Sequence, residues 1–232
     1  SGGGFGFGPL QVWAAVRSTA TGTWSAAAPL SPDTGFARNA GTAVDPVSGK
    51  VTVAWTRGGL PHVSSSSDGG ATWLTEPVPA GTGYDFVINA RPFDTDAKGN
   101  ITFILMKLNP SGATYDVQSI VKTARGTWRN PTTLTGAAGI AFTGSASFNV
   151  ISDGRALLGF GYATFRRNSS GTWGPAQSIN VAGFDLADQT SADIDASGRG
   201  YYLIHAFVAG VPGIYLSTSS QTGGWSTPRH ML

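Results

Sequence analysis

Five tryptophans set the period of this chain. Trp24, Trp73, Trp128, Trp173 and Trp225 follow one another at intervals of about 50 residues, each just after a glycine-bearing turn. The fullest of these turns is Ser66-Ser67-Asp68-Gly69-Gly70-Ala71-Thr72-Trp73. Gly22-Thr23-Trp24, Gly126-Thr127-Trp128, Gly171-Thr172-Trp173 and Gly223-Gly224-Trp225 keep only its tail. Recurrence at this spacing means one supersecondary unit repeated, so the fold is read from the unit.

The unit is legible. A proline follows the tryptophan closely in the first four cases (Pro29, Pro77, Pro131, Pro175), and a glycine-bearing loop comes next. An Asp/Gly turn follows: Asp45-Pro46-Val47-Ser48-Gly49, Asp96-Ala97-Lys98-Gly99, Asp153-Gly154 and Asp195-Ala196-Ser197-Gly198. Asp caps its own turn and Gly supplies positive φ, so these are hairpin turns. After each comes a short apolar run, Val51–Trp55, Ile101–Leu105, Ala156–Phe160 and Tyr201–Phe207. Such runs, flanked by turn residues and rich in branched and aromatic side chains, are buried strands. A more alternating strand, as in Ala113–Ala124 and Gly213–Ser219, returns to the next Gly-x-Trp turn. Four strands per repeat joined by short turns form an antiparallel meander, and meanders repeated radially are propeller blades.

Composition agrees and excludes alternatives. The 232 residues include 33 Gly and 13 Pro without a three-residue period, which fits turn-rich β structure. No apolar run reaches the roughly 18 residues of a membrane helix. The net charge of +2 arises from scattered basic residues, with Arg166-Arg167 the one adjacent pair. Nucleic-acid binders concentrate such charge, so no nucleic-acid partner is expected. Zero cysteines exclude disulfides and thiol chemistry.

Ser66-x-Asp68-x-Gly70-x-Thr72-Trp73 resembles the Asp-box, or bacterial neuraminidase repeat, of sialidase-like propellers. The chain also resembles the repeats of bacterial surface lipoprotein propellers. The resemblance implies an all-β propeller of four-stranded blades, with the box between the third and fourth strands of a blade. Five blades are expected, with an incomplete blade at the termini. Four repeats run from about Phe36, Tyr84, Ile140 and Phe184, and residues 9–30 supply the last two strands of a fifth. Pairing of residues 9–30 with the C-terminal repeat is the expected ring closure, since an open sheet edge invites pairing. The five tryptophans are expected as wedges between blades. Residues 1–8 form a Gly-rich tether ahead of one domain, residues 9–232, and membrane contact is expected only through an N-terminal lipid anchor. An exported, bacterial cell-surface location is the implied one.

Sialidase-like enzymes, as the resemblance implies, use three arginines, a Tyr/Glu nucleophilic pair and an Asp acid/base. Their arginine-bearing F/Y-R-I-P motif is missing; the nearest stretch is Phe36-Ala37-Arg38-Asn39. Glycosidases more generally need two carboxylates across the scissile bond, and the single glutamate, Glu76, falls on an outer strand. Twelve Asp remain, so an Asp-based hydrolase is one alternative. His62, His205 and His230 sit in no triad or zinc motif. Asp94/Asp96 and Asp193/Asp195 alternate along strands, but hairpin-turn chemistry accounts for the second Asp of each pair. No metal and no cofactor is expected.

A quieter repeat points to binding. Gly35-Phe36, Gly83-Tyr84, Gly139-Ile140 and Gly183-Phe184 open the loops before the innermost strand of each blade. Arg38, Asp85, Arg91, Asp185 and Asp188 follow closely. Aromatic faces beside Arg and Asp suit carbohydrate, whose rings carry an apolar face and a rim of hydroxyls; the other reading is that Phe36, Tyr84, Ile140 and Phe184 plug the space between blades. The expected ligand residues are Phe36, Arg38, Tyr84, Asp85, Arg91, Phe184, Asp185 and Asp188, in a non-enzymatic recognition module for a glycan. A hydrolase and a protein-binding propeller on the cell surface are the alternatives.

Overall fold

The computed structural model describes residues 10–32, 37–86, 92–110, 114–134, 146–179, 182–184 and 186–231. Among these every regular element is a strand. β1 (Trp13–Ala14) and β2 (Ala28–Pro29) form a two-stranded half-blade. The first full blade is β3 (Ala37–Val44), β4 (Val51–Arg57), β5 (Leu60–Ser66) and β6 (Leu74–Pro77), paired antiparallel in sequence order. The second contains β7 (Asp85–Phe86), β8 (Phe93–Thr95), β9 (Ile101–Leu108), β10 (Tyr115–Lys122) and β11 (Thr132–Thr133). Both β7 and β8 pair with β9, so together they are the inner strand of that blade. β12 (Ala146–Val150), β13 (Ala156–Phe160), β14 (Ala163–Arg167) and β15 (Gln177–Ser178) make the third blade. The fourth has β16 (Leu186–Ile194), β17 (Gly200–Val208) and β18 (Val211–Ser220), with β19 (Gly223–Trp225) and β20 (Arg229–His230) both on β18.

The apolar runs of the sequence are the second strands, β4, β9, β13 and β17, and they explain how the blades stack. In β13, Leu157 faces the fourth blade and Leu158 the second, and both are buried. In β9, Phe103 lies against the first blade and Ile104 against the third. A strand covered on both faces has no polar side, which is why these runs do not alternate. Among the described residues the core is therefore four interfaces between consecutive blades, and each carries one of the repeat tryptophans on its edge: Trp73, Trp128, Trp173 and Trp225. At Gly159 the third and fourth blades come close enough that a Cβ would stand 2.6 Å from Tyr202 and 2.7 Å from Ala192. Only glycine fits there.

The Ser66–Trp73 turn is closed by its own side chains. Asp68 Oδ1 accepts from the Ser66 hydroxyl at 2.7 Å and the Thr72 amide at 3.0 Å; Oδ2 accepts from the Thr72 hydroxyl at 2.5 Å. The Trp73 indole N–H donates to the Gly70 carbonyl at 3.2 Å. Thr72, through hydroxyl and amide, and then Ser66 hold the Asp68 carboxyl well below the usual carboxylate range. Gly70 has φ +91°, and a Cβ there would meet Ser25 and Val16 of the half-blade at 2.9 Å, so the turn also docks one blade on the next.

Two expectations are corrected here. Residues 10–32 do not close the ring: among the described residues they pair only with one another, apart from one bond from the Ala37 amide to the Leu10 carbonyl. The C-terminal strands β19 and β20 instead complete the fourth blade on β18. Two residues of pairing in β1–β2 leave too short an edge to recruit a distant sheet. Trp24 is consequently no wedge; the residue is 67% exposed.

Candidate functional site

The register defines two ends. At the lower end lie the Asp/Gly turns and the Gly-x-Trp turns. At the upper end lie the hairpins between second and third strands, Arg57-Gly58-Gly59-Leu60 in the first blade and Phe160-Gly161-Tyr162-Ala163 in the third. The loops before the inner strands enter from this upper end, and most of their residues fall outside those described.

Between the half-blade and the first blade the upper end holds a cleft of about 540 Å³. Its walls are Gln11, Leu30 and Ser31 on one side and Trp55, Arg57, His62 and Thr75 on the other, with Pro29 and Pro32 at the edge. The strand register explains why these meet. Ala37 pairs with Arg57, and Trp55 with His62; directly opposed residues share a face, and this face looks toward the half-blade. His62 stacks on Trp55 at 4.4 Å between ring centroids, 10° from parallel. Behind them the Trp55 indole donates to Ser64 Oγ at 2.9 Å, and that hydroxyl bonds Thr75 Oγ1 at 2.7 Å. The Leu60 carbonyl, 2.9 Å from His62 Nδ1, fixes a proton on that nitrogen and leaves Nε2 as an acceptor in the neutral ring. No carboxylate lines the cleft among the described residues.

The residues singled out from sequence are distributed as follows. Arg38, exposed on β3, turns to the other face of the first blade and is electrostatically coupled to Asp85 on β7. Burial pushes the half-buried Asp85 carboxyl up; the Phe86 amide at 2.7 Å and the Arg38 charge oppose that only in part. Tyr84 is only 9% exposed and sits inside the core between first and second blades, with Lys107 Nζ 5.9 Å from its ring centroid. Phe184 is half-buried against Tyr215, 4.6 Å between centroids, in the core between third and fourth blades. Thus Tyr84 and Phe184 meet protein on the faces described. Phe36, Arg91 and Asp185 lie outside the described residues. Asp188 falls at the irregularity between Ala187 and Gln189 in β16, and its side chain is outside those described.

Gln11, Arg57, His62 and Thr75 were not among the residues picked from sequence. They come from four separate segments, and only the pairing register unites them. Glu76 has a structural part: its carboxylate takes a hydrogen bond from the Trp128 indole at 3.0 Å and an ion pair from the buried Lys122, joining first and second blades. Asp94 caps backbone, accepting from the Thr95 and Val150 amides, and Asp193 from the Ile194 amide. Among the described residues no group of three or more His, Asp or Glu gathers as a metal site.

Solved structures share this arrangement. A protein of unknown function from Dyadobacter fermentans DSM 18053 superposes with a TM-score of 0.53 over 92% of this chain and 71% of its own, at 13% identity. The NanB sialidase from Streptococcus pneumoniae, in complex with 2-[(3-chlorobenzyl)ammonio]ethanesulfonate, superposes with a TM-score of 0.50 at 12% identity. The fold is a sialidase-like β-propeller. The superposition covers 81% of this chain but only 31% of that sialidase, so the propeller here spans under a third of its length. No protein-family model and no curated protein matches the sequence.

Proposed function

We propose that this propeller is an exported, bacterial cell-surface recognition module that binds a glycan at its upper end without turning it over. The observation that carries the reading is the cleft between half-blade and first blade: about 540 Å³, backed by Trp55, His62 and prolines, rimmed by Arg57, Gln11 and Thr75, and without a lining carboxylate among the described residues. That volume suits one or two sugar rings. Apolar walls meet the hydrophobic face of a pyranose, while guanidinium, amide and hydroxyl groups meet its hydroxyls. Hydrolysis instead needs two carboxylates flanking one bond. The Ser66–Trp73 turn is read as an Asp-box, and the fold shared with a sialidase supports sugars as the ligand class. Arg38, on the opposite face of the first blade, and Asp85, on β7 of the second blade, are read as part of the binding surface together with Phe36, Arg91, Asp185 and Asp188.

A shallow site making a few hydrogen bonds at roughly 0.5–1.5 kcal/mol each gives a millimolar to high-micromolar constant, about −4 to −6 kcal/mol. Glycan-array screening followed by calorimetry tests this. Arg57→Ala and Gln11→Ala should weaken the bound glycan without moving the melting temperature. Asp85 supports the competing hydrolase reading, since a carboxyl pushed up by burial is what a general acid requires. Cleavage of a fluorogenic glycoside, lost in Asp85→Asn, would replace the recognition reading with that one. A blank array and no cleavage would dismiss both.

A further inference from the structure

At the opposite, lower end, the second and third blades enclose a cavity of about 350 Å³. Arg167 of β14, in its wall, is only 6% exposed, as is Asp96. Arg167 Nε and Nη2 donate to the Gly154 carbonyl at 3.0 and 2.8 Å, and Nη1 donates to Thr102 Oγ1 at 2.6 Å. The guanidinium carries five N–H groups in a planar fork, so one on each Nη remains. Its Cζ lies over the Trp173 ring, 5.8 Å from the centroid. The side chain is thus fixed by contacts that leave donors to spare.

Two carboxylates line the cavity, and the hydrogen bonds to both come from neighbours other than Arg167. Asp96 accepts from the Lys98 amide and from the amide and side chain of Asn100. Asp153 accepts from the amide and Nε of Arg155. No carboxylate oxygen forms an ion pair with Arg167 among the described residues. Arg129 and Lys98 stand at the rim with no side-chain hydrogen bond or ion pair among the described residues. Burial lowers the Arg167 basicity most; the Asp96 charge opposes it, and Arg129 adds a smaller lowering. Ser119, a buried residue on the same wall, likewise has no hydrogen bond from its hydroxyl among the described residues.

We propose that this lower cavity between second and third blades is an oxyanion site, taking the carboxylate of an acidic saccharide or a free inorganic oxyanion. The spare Arg167 N–H groups and the Ser119 hydroxyl donate to its oxygens, and Arg129 closes over it from the rim. A guanidinium fork suits two oxygens of a carboxylate or sulfate better than a single atom does. The cavity also admits the ring that would carry such a group. The site is independent of the upper cleft, from which it is separated by the length of the blades.

The test uses the intact chain with sodium sulfate, sodium glucuronate and, at matched ionic strength, sodium chloride. Sulfate should raise the melting temperature above the chloride baseline and shift the amide resonances of Thr102 and Ser119. Arg129→Ala should weaken this about tenfold, as losing one charge-assisted contact does. Arg125→Ala, which removes the same charge from the same end outside the cavity, should not. Glucuronate binding more tightly than sulfate identifies the source as a saccharide; the reverse order identifies a free oxyanion. Equal melting temperatures in sulfate and chloride, or equal losses in the Arg129 and Arg125 variants, would overturn the site. Because Arg167 holds two blades together, Arg167→Lys serves only as a second check, keeping the charge but not the fork.

Discussion

β13 and β17 are the same strand of the repeat in neighbouring blades, yet they live in different surroundings. In β13, consecutive residues Leu157 and Leu158 face opposite ways and both are buried. In β17, Ile204 is buried against the third blade while its neighbour Leu203, facing away, is 44% exposed. The half-blade shows the mirror situation, with Trp13 55% exposed and Trp24 more so. The sequences of the two strands are similarly apolar, so propensity does not separate them. What differs is whether a second blade supplies cover. In a stacked-blade architecture each unit contributes stability through its interfaces, and the terminal units have one fewer.

The largest expected effect follows directly. Leu157→Ala and Leu158→Ala should each cost about 2–5 kcal/mol, as truncation in a close-packed core does. Leu203→Ala should cost less than about 1 kcal/mol because its face is already wet. Urea melts of the three variants measure this. Equal losses at Leu158 and Leu203 would mean that the open face of the fourth blade is covered in solution.

Next in size is the link between the first and second blades. Glu76→Ala leaves Lys122 buried without its partner and the Trp128 indole without its acceptor. A loss of about 2–3 kcal/mol is expected, below that of a fully buried pair because Glu76 is partly exposed. Asp153→Ala, which removes the exposed partner of Arg155, should cost under about 1 kcal/mol. Trp24→Ala should likewise be near neutral, whereas Trp128→Ala should cost about 3 kcal/mol. A costly Trp24→Ala would place a covering surface on the half-blade.

Much of this comparison was legible in the sequence, and the rest was not for identifiable reasons. The repeat of Gly-x-Trp and Asp/Gly turns marks all four full blades because both are local signals. The turns also keep a common acceptor that the residue pattern hides. Asp68, Thr123 and Asn168 each stand five residues before their tryptophan, and each accepts the amide of the residue four positions on. Aspartate, threonine and asparagine share that chemistry without sharing a motif letter. The bond of Glu76 to Trp128 spans 52 residues and cannot be inferred without knowing that blades stack. The same holds for the upper cleft: alternation along β4 puts Trp55 and Arg57 on one face, but nothing local says the half-blade lies opposite. Tyr84 was legible as an aromatic at a loop entrance with two readings, a binding platform or a plug between blades, and the core between first and second blades holds it as the plug.

The smallest predicted effect concerns the Asp68 turn. Its folded carboxyl is held below the ordinary value, so it contributes stability above the unfolded pKa of about 4 and loses it as pH falls toward the folded value. The difference in melting temperature between the parent chain and Asp68→Asn should therefore be largest near neutrality and shrink below about pH 4. A constant difference from pH 7 to pH 2.5 would show that the carboxylate charge is immaterial to the turn.

The central claim is that each blade is stabilised by its neighbours and that the two ends, having one neighbour, open first. Native-state hydrogen exchange with peptide resolution tests it most directly. The account predicts that β9 and β13 exchange only with global unfolding, that β17 and β18 exchange earlier, and that β1 and β2 exchange fastest. Uniform protection across β9, β13 and β17, with β1 and β2 as slow as the rest, would contradict it.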